Sequence, residues 1–287
     1  MEKRNATRGR GDSLTRIHEL RCRAALVDAR RVIVKIGTRV LVRTDGRPDT
    51  NRLRVLVTQV ARLRREGFEV LLVTSGAIGA GMQALGLRAR PQSVPELQMC
   101  AAVGQTRLMS HYGVWFAREN LTVGQVLLTH GDFTHTVRMA NARRTLSHLL
   151  RAGVIPIINE NDVVADEEIR ADLDWGDNDY LAALLAKLMR ADVLVLLTTV
   201  DGLRAPGVNG RTSRVRILES ITRRALEHVT GETSALSKGG MGSKLKSAQL
   251  AARSGCSVVI ANGRANTILP EILSGADVGT LVLPSTT

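Results

Sequence analysis

Two short knots of carboxylates and carboxamides interrupt otherwise aliphatic sequence between Pro156 and Ala186: Asn159-Glu160-Asn161-Asp162, then Asp177-Asn178-Asp179. The first closes a strand-like apolar run and the second opens a helix-like one. Carboxylates accept from an ammonium and carboxamides donate to a carboxylate, so the pair suits a small zwitterionic ligand. Either cluster alone reads equally well as turn and cap chemistry, because Asn and Asp are what tight turns and helix starts prefer. Two such clusters, accompanied by the cations below, favour a site.

The forty basic residues include only six lysines: Lys3, Lys35, Lys187, Lys238, Lys244 and Lys246. In so arginine-rich a chain, a lysine in a strand or glycine-rich loop supplies a compact point charge that a planar guanidinium does not. Lys35 sits inside the apolar run RVIVKIG, residues 31–37, with Thr38 following. Buried there it requires an anion, whether a ligand's or a structural carboxylate's. Ser75-Gly76-Ala77, with Gly79 and Gly81, follows a second apolar run. Free N–H groups at a helix start make an anion site, although such glycines also serve close packing. The segment Lys238-Gly239-Gly240-Met241-Gly242-Ser243-Lys244 is a glycine-rich turn flanked by lysines. It lacks the GxxxxGK[ST] spacing of a P-loop, yet its composition suits phosphate. The six histidines are scattered, no Ser/His/Asp arrangement appears, and no metal-ligand spacing is found.

These segments must be held by regular elements. Strands are expected at 31–37, 70–73, 122–128, 154–158, 192–197, 257–261 and 279–283. Helical spacing covers 51–65, 94–119, 135–151, 178–190, 219–229 and 242–253, with an irregular Gly/Pro excursion over 201–214. The alternation predicts an α/β fold with a mostly parallel sheet covered on both faces. In such sheets ligands sit outside the carboxyl ends of the strands, where each polar segment falls. Residues 1–29 are charged and apolar-poor, and are expected to form a flexible basic extension before one folded unit over 30–287.

Composition narrows the function classes. At 287 residues and 44% hydrophobic content the chain can bury a full core, and 2% aromatics leave that core to Val, Leu, Ile and Ala. No apolar stretch is long enough to span a bilayer, and no secretory leader is visible. Three separated cysteines suit a reducing, cytoplasmic setting. The net charge of +13 is spread along the chain without a zinc-finger or RNA-binding signature, so specific nucleic-acid binding is not expected.

The segments VIVKIGTRVL, VTSGAIGAG, AAVGQTRLM, NARRTL, IPIINENDVVA, WGDNDYLAALLA and GGMGSKL resemble, in order and spacing, the glutamate 5-kinases of the amino acid kinase superfamily. The resemblance covers about residues 30–284, and the NEND and GDND pair is its most specific part. It implies a three-layer αβα sandwich, the amino acid kinase fold, with an N-terminal lobe for glutamate and a C-terminal lobe for ATP. It implies that Lys35 meets the transferring phosphate and Lys244 serves the nucleotide phosphates, with Asp177 and Asp179 important for activity. Ser75, Gly76, Asn159, Asp162 and Asn178 would bind glutamate. Gly37, Thr38, Thr198, Thr199, Lys238, Gly239, Gly240, Met241, Gly242 and Ser243 would face ATP. Thr199 stands where the family has Asp, and Lys238 where it commonly has Thr. The resemblance ends at the kinase region, without the C-terminal PUA domain of many members, and the loop before GDND is slightly longer than usual.

The implied reaction is phosphorylation of the L-glutamate γ-carboxylate by ATP with Mg²⁺, the first step of proline biosynthesis. A glutamyl-phosphate reductase would be the functional partner, and a homo-oligomer is expected. The alternatives are another phosphotransferase of this fold, or a non-catalytic nucleotide- or nucleic-acid-binding regulator.

Overall fold

Aliphatic runs of β-branched and leucine residues supply the strands, and amphipathic segments between them supply the covering helices. The computed structural model describes residues 18–43, 49–164, 177–206, 211–221 and 240–285. In chain order these form a short helix α1 at 18–24, β1 (Arg31–Ile36), α2 (Thr38–Leu41), α3 (Thr50–Arg65), β2 (Glu69–Val73), α4 (Ala77–Ala84) and α5 (Val94–Arg118). There follow β3 (Val123–Leu128), α6 (His130–Thr134), α7 (Thr136–Arg151), β4 (Ile155–Glu160), α8 (Asp177–Met189) and β5 (Val193–Thr198). A small hairpin of β6 (Arg204–Pro206) and β7 (Thr212–Arg214) leads to β8 (Ile217–Leu218), α9 (Met241–Ala252), β9 (Ser257–Asn262), α10 (Ile268–Leu273) and β10 (Thr280–Val282).

The main sheet has the order β3-β4-β2-β1-β5-β9-β10-β8. Its first six strands are mutually parallel, and β10 is antiparallel to β9 and parallel to β8. Side chains alternate across the pleat, so the two faces of β1 belong to different cores. Val32, Val34 and Ile36 pack with Leu56, Val60, Tyr112 and Phe116 of α3 and α5. Ile33 packs with Leu146, Leu181, Leu185, Leu245 and Ala248 of α7, α8 and α9. Lys35 shares the parity of Ile33 and therefore points to the α8/α9 side. The result is the expected three-layer α/β sandwich.

Close backbone approach explains one glycine pair. A Cβ on Gly81 would stand 1.8 Å from Cys100 O, and one on Gly104 would stand 1.7 Å from Ala77 O. Helices α4 and α5 thus touch backbone to backbone, so Gly81 serves packing rather than an anion. Gly76 begins α4 at φ +101°, a left-handed conformation that glycine adopts without steric penalty.

Several expectations are corrected. The described part of the 1–29 extension is not loose: Leu26 is fully buried, and Arg23 is 1% exposed with its guanidinium donating to backbone carbonyls of residues 216, 276, 278 and 279. Composition hid this, because a single arginine and a single leucine anchor an otherwise polar segment. Strand β4 runs through Asn159 and Glu160 instead of stopping before them. The helix expected at 135–151 is preceded by a separate turn of helix, α6, closed by a Thr129–Asp132 capping box. The 201–214 excursion contains the β6–β7 hairpin. Residues 219–221 are not helical, and the rest of the helix expected at 219–229 lies outside the described residues.

Candidate active site

Parallel strands align their carboxyl ends, and here four neighbours present polar residues in one row. Asn159 lies near the end of β4, Ser75 follows β2, Lys35 and Gly37 close β1, and Thr198 ends β5. At ~4.8 Å per strand, the row from β4 to β5 spans about 14 Å. That is long enough to seat two small ligands end to end.

At the centre, Asp179 bridges two lysines. Its carboxylate lies 2.9 Å from Lys35 Nζ through one oxygen and 2.9 Å from Lys244 Nζ through the other. Asp179 is 1% exposed and each lysine 7%. Burial alone would raise the Asp179 carboxyl, but the two ammonium groups outweigh it and hold the group below the ordinary carboxylate range. Two ammonium groups thus converge on one buried carboxylate.

Lys244 rides on the first turn of α9, whose N-cap is Gly240. Among the described residues nothing lies within 4 Å of where a Cβ on Gly240 or Gly242 would stand. These glycines therefore leave room for a group to approach the backbone, rather than accommodating packed neighbours. The Ser243 hydroxyl donates to Gly240 O at 2.9 Å and braces the turn. Gly37 N–H donates to Leu197 O at 3.1 Å, tying β1 to β5 beside Lys35. The Thr38 hydroxyl donates to Ser75 Oγ at 3.0 Å, and Ser75 donates to Ile36 O at 2.9 Å.

On the β4 side a chain of amides runs inward. Asn178 Nδ2 donates to Asn159 Oδ1 at 3.2 Å, and Asn159 Nδ2 donates to Gln105 Oε1 at 2.9 Å. Each end of this chain keeps a buried polar atom, Gln105 Nε2 and Asn178 Oδ1, with no partner among the described residues. Unpaired buried amide groups are costly unless a ligand meets them. Gln105 also lines a cleft of about 190 Å³ with Ala77, Ala101, Ala102, Thr106, Gln125, Leu127, Glu160, Asn161, Asp162 and Val163. That volume is below the ~300–1,000 Å³ of sites for drug-sized ligands and is on the scale of an amino acid. Behind it, Glu160 lies 3.9 Å from His130 Nε2, and the His130 ring meets Tyr180 edge-on at 4.9 Å.

The structure thus gathers Lys35, Gly37, Thr38, Ser75, Gly76, Asn159, Asp162, Asn178, Asp179, Thr198, Thr199, Gly240, Met241, Gly242, Ser243 and Lys244 along one edge of the sheet. Asp177 opens α8, and its side chain, like Lys238 and Gly239, lies outside the described residues. Sequence reasoning missed Gln105, Gln125 and His130 as cleft or flanking groups, and named Glu160 only as a member of the 159–162 cluster. Gln105 had a usable signal: it is the polar exception in the buried stripe Ala101, Gly104, Leu108, Tyr112 of α5.

Comparisons with known proteins show the family and the fold. Residues 30–262 match the amino acid kinase family. The glutamate 5-kinase of Methylococcus capsulatus is 43% identical over 267 residues, covering 92% of this chain and 70% of that one. Its counterpart in Chromohalobacter salexigens is 46% identical over 264 residues, covering 91% and 68%. The glutamate 5-kinase of Clostridium tetani is 40% identical over 257 residues, covering 89% and 95%. Among solved structures, a carbamate kinase from Giardia lamblia bound to AMP-PNP superposes with a TM-score of 0.63 at 15% identity, covering 90% of this chain and 100% of that one. UMP kinase from Bacillus anthracis gives 0.58 at 16% identity, covering 90% and 97%. Those two likenesses show the shared fold alone.

Proposed function

This chain belongs to the amino acid kinase family, and we infer that it acts as a glutamate 5-kinase, transferring the γ-phosphoryl group of ATP to the γ-carboxylate of L-glutamate. A γ-carboxylate oxygen attacks the γ-phosphorus, the bond to the β,γ-bridging oxygen breaks, and ADP leaves with γ-glutamyl phosphate as product. From the resemblance we propose that this step opens proline synthesis.

The observation that carries the reading is the Lys35–Asp179–Lys244 cluster, set between an open glycine turn and a carboxamide-lined cleft. A carboxylate with a pKa of ~4.3 is ionised at neutral pH and needs no general base. The barrier is the approach of two anions, so catalysis rests on positioning and charge neutralisation. Lys35, central in the row, would face the transferring group. Lys244 and the α9 amide groups near Gly240 and Gly242 would hold the β- and γ-phosphates, with Thr198 and Thr199 toward the rest of the nucleotide. Asp179 would hold both lysines in place. Asp162, with the Gln105–Asn159–Asn178 chain, Ser75 and Gly76, would fix the α-ammonium and α-carboxylate so that only the γ-carboxylate faces ATP. Among the described residues no three of His, Cys, Asp and Glu are grouped to hold a metal ion. Mg²⁺ bound with the nucleotide would supply further charge neutralisation.

An acyl phosphate hydrolyses readily, so we propose a glutamyl-phosphate reductase as the functional partner that consumes it. Self-association is proposed as well, supported by Met99 and Val114, large apolar side chains exposed on α5. Among the described residues no helix is long and apolar enough to cross a membrane, and three free cysteines accord with a reducing cytoplasm.

Purified protein given ATP, Mg²⁺, glutamate and hydroxylamine should form γ-glutamyl hydroxamate without another protein. A folded sample that yields none would remove the kinase reading. Within that assay, Asp162→Ala should raise the glutamate KM by about 10- to 100-fold, the loss expected for one hydrogen bond to a charged group. The ATP KM should move less than about threefold; equal rises in both constants would reduce Asp162 to a turn residue.

A further inference from the structure

Arg23 is the largest fully buried polar side chain described, and it lies far outside the motifs that carry the chemistry. Its guanidinium donates to four backbone carbonyls: Ala276 O at 3.1 Å, Val278 O at 2.9 Å, Arg216 O at 3.0 Å and Gly279 O at 3.1 Å. The Asp277 carboxylate balances its charge at 3.4 Å. Arg214 grips the same loop, donating to Gly279 O and to both the backbone and the carboxylate of Asp277. The loop has no slack: Gly279 is held at φ +65°, and a Cβ there would stand 2.6 Å from Ile260 O.

One residue further on, Thr280 is fully buried. Its hydroxyl donates to Val215 O at 2.6 Å and accepts from Leu203 N at 2.8 Å. Val215 N–H in turn donates to Leu203 O at 2.8 Å. Leu203 ends the turn that starts at Thr199, directly after β5. Gly202 within that turn is at φ +140°, and a Cβ there would clash with the Thr280 hydroxyl at 2.5 Å. Two buried hydrogen bonds, Arg23 to Gly279 O and Leu203 N to the Thr280 hydroxyl, therefore join Arg23 to residues 199–203 through chain neighbours.

We propose that Arg23 is a positioning residue for the nucleotide side of the site: by locking residues 276–279 it fixes Thr280, and through Thr280 it fixes the turn at 199–203. The proposal rests on the reading that Thr198 and Thr199 face a nucleoside triphosphate. An N-terminal segment outside the kinase motifs thereby becomes part of the binding lobe. A guanidinium suits the role because its fork satisfies several carbonyls at once, which a lysine cannot do.

The test compares wild type with Arg23→Met, which keeps much of the stem but removes the donors, and Arg23→Lys, which keeps the charge with a narrower reach. AMP-PNP and glutamate affinities are measured by calorimetry on the full chain, with peptide-resolved hydrogen exchange. Arg23→Met should weaken AMP-PNP about tenfold, within the range of ordinary coupling energies, and leave glutamate affinity within about twofold. Exchange should rise at 276–282 and at 199–203, with Arg23→Lys intermediate in both. Faster exchange confined to 276–282, or a fall in melting temperature with nucleotide affinity unchanged, would make Arg23 a stability residue only. Equal weakening of both ligands would likewise overturn the proposal. If Arg23→Met does not accumulate folded, Arg23→Lys carries the test with the same sign. Hydroxamate formation by wild type is read separately, so failure of the kinase reading is distinguishable from failure of this one.

Discussion

Replacing Lys35 by alanine is expected to lower kcat by about 10³-fold or more while leaving glutamate affinity within about threefold. The loss corresponds to roughly 4 kcal/mol of transition-state stabilisation. By parity in the pleat, Lys35 shares a face with Ile33 and reaches the α8/α9 side, where Asp179 holds its ammonium at 2.9 Å. It stands in the middle of the row, between the amide-lined cleft and the α9 glycine turn. A cation there acts most strongly when negative charge from both reactants converges, so it should affect kcat more than ground-state glutamate binding. Lys35→Arg should rescue little, because a longer planar fork cannot place its charge at the same point in a site only 7% exposed. Single-turnover phosphoryl transfer and glutamate calorimetry on both variants check this. Lost glutamate binding with transfer retained would move Lys35 out of the phosphoryl site.

Much of this site was legible because parallel-sheet proteins concentrate chemistry at strand ends. Lys35, Ser75, the Asn159–Asp162 cluster and the Gly240–Lys244 turn were conspicuous as polar or glycine residues interrupting aliphatic runs. What stayed hidden depended on packing across the fold. Gln105 looks like one polar residue on a long helix until Asn159 is seen 2.9 Å away. Gly81 looked like anion-loop chemistry but is required by the contact of α4 with Cys100 O. Arg23 was concealed by composition, since its partners are backbone carbonyls about 190 to 260 positions along the chain, which no local pattern encodes. The short elements β6, β7 and β8 were missed for a related reason. Two- and three-residue strands carry too few alternations to register, and tertiary pairing alone defines them.

Asp179→Asn tests the cluster from its other side and should affect stability and turnover together. The native carboxylate is 1% exposed and faces two ammonium groups, so the amide would remove a buried negative charge from beside both. Breaking a buried ion pair in this way costs about 3–5 kcal/mol at neutral pH. The pH dependence has a definite sign. The folded-state pKa of Asp179 is depressed, with burial raising it and Lys35 and Lys244 lowering it by more. Its contribution is therefore present above the unfolded carboxyl pKa of ~3.9 and is lost as pH falls through the lower folded value. The stability gap between wild type and Asp179→Asn should be widest near neutrality and should narrow below about pH 4. Because the phosphates would supply part of the negative charge that the substitution removes, AMP-PNP should raise the melting temperature of the variant more than that of wild type. Turnover should still fall, by about 10²-fold or more, since lysines no longer held by Asp179 lose the geometry the transfer requires. Urea melts from pH 3 to 8, with and without AMP-PNP, decide the matter: a gap independent of pH would mean that the carboxylate is not the source of the stability it is assigned here.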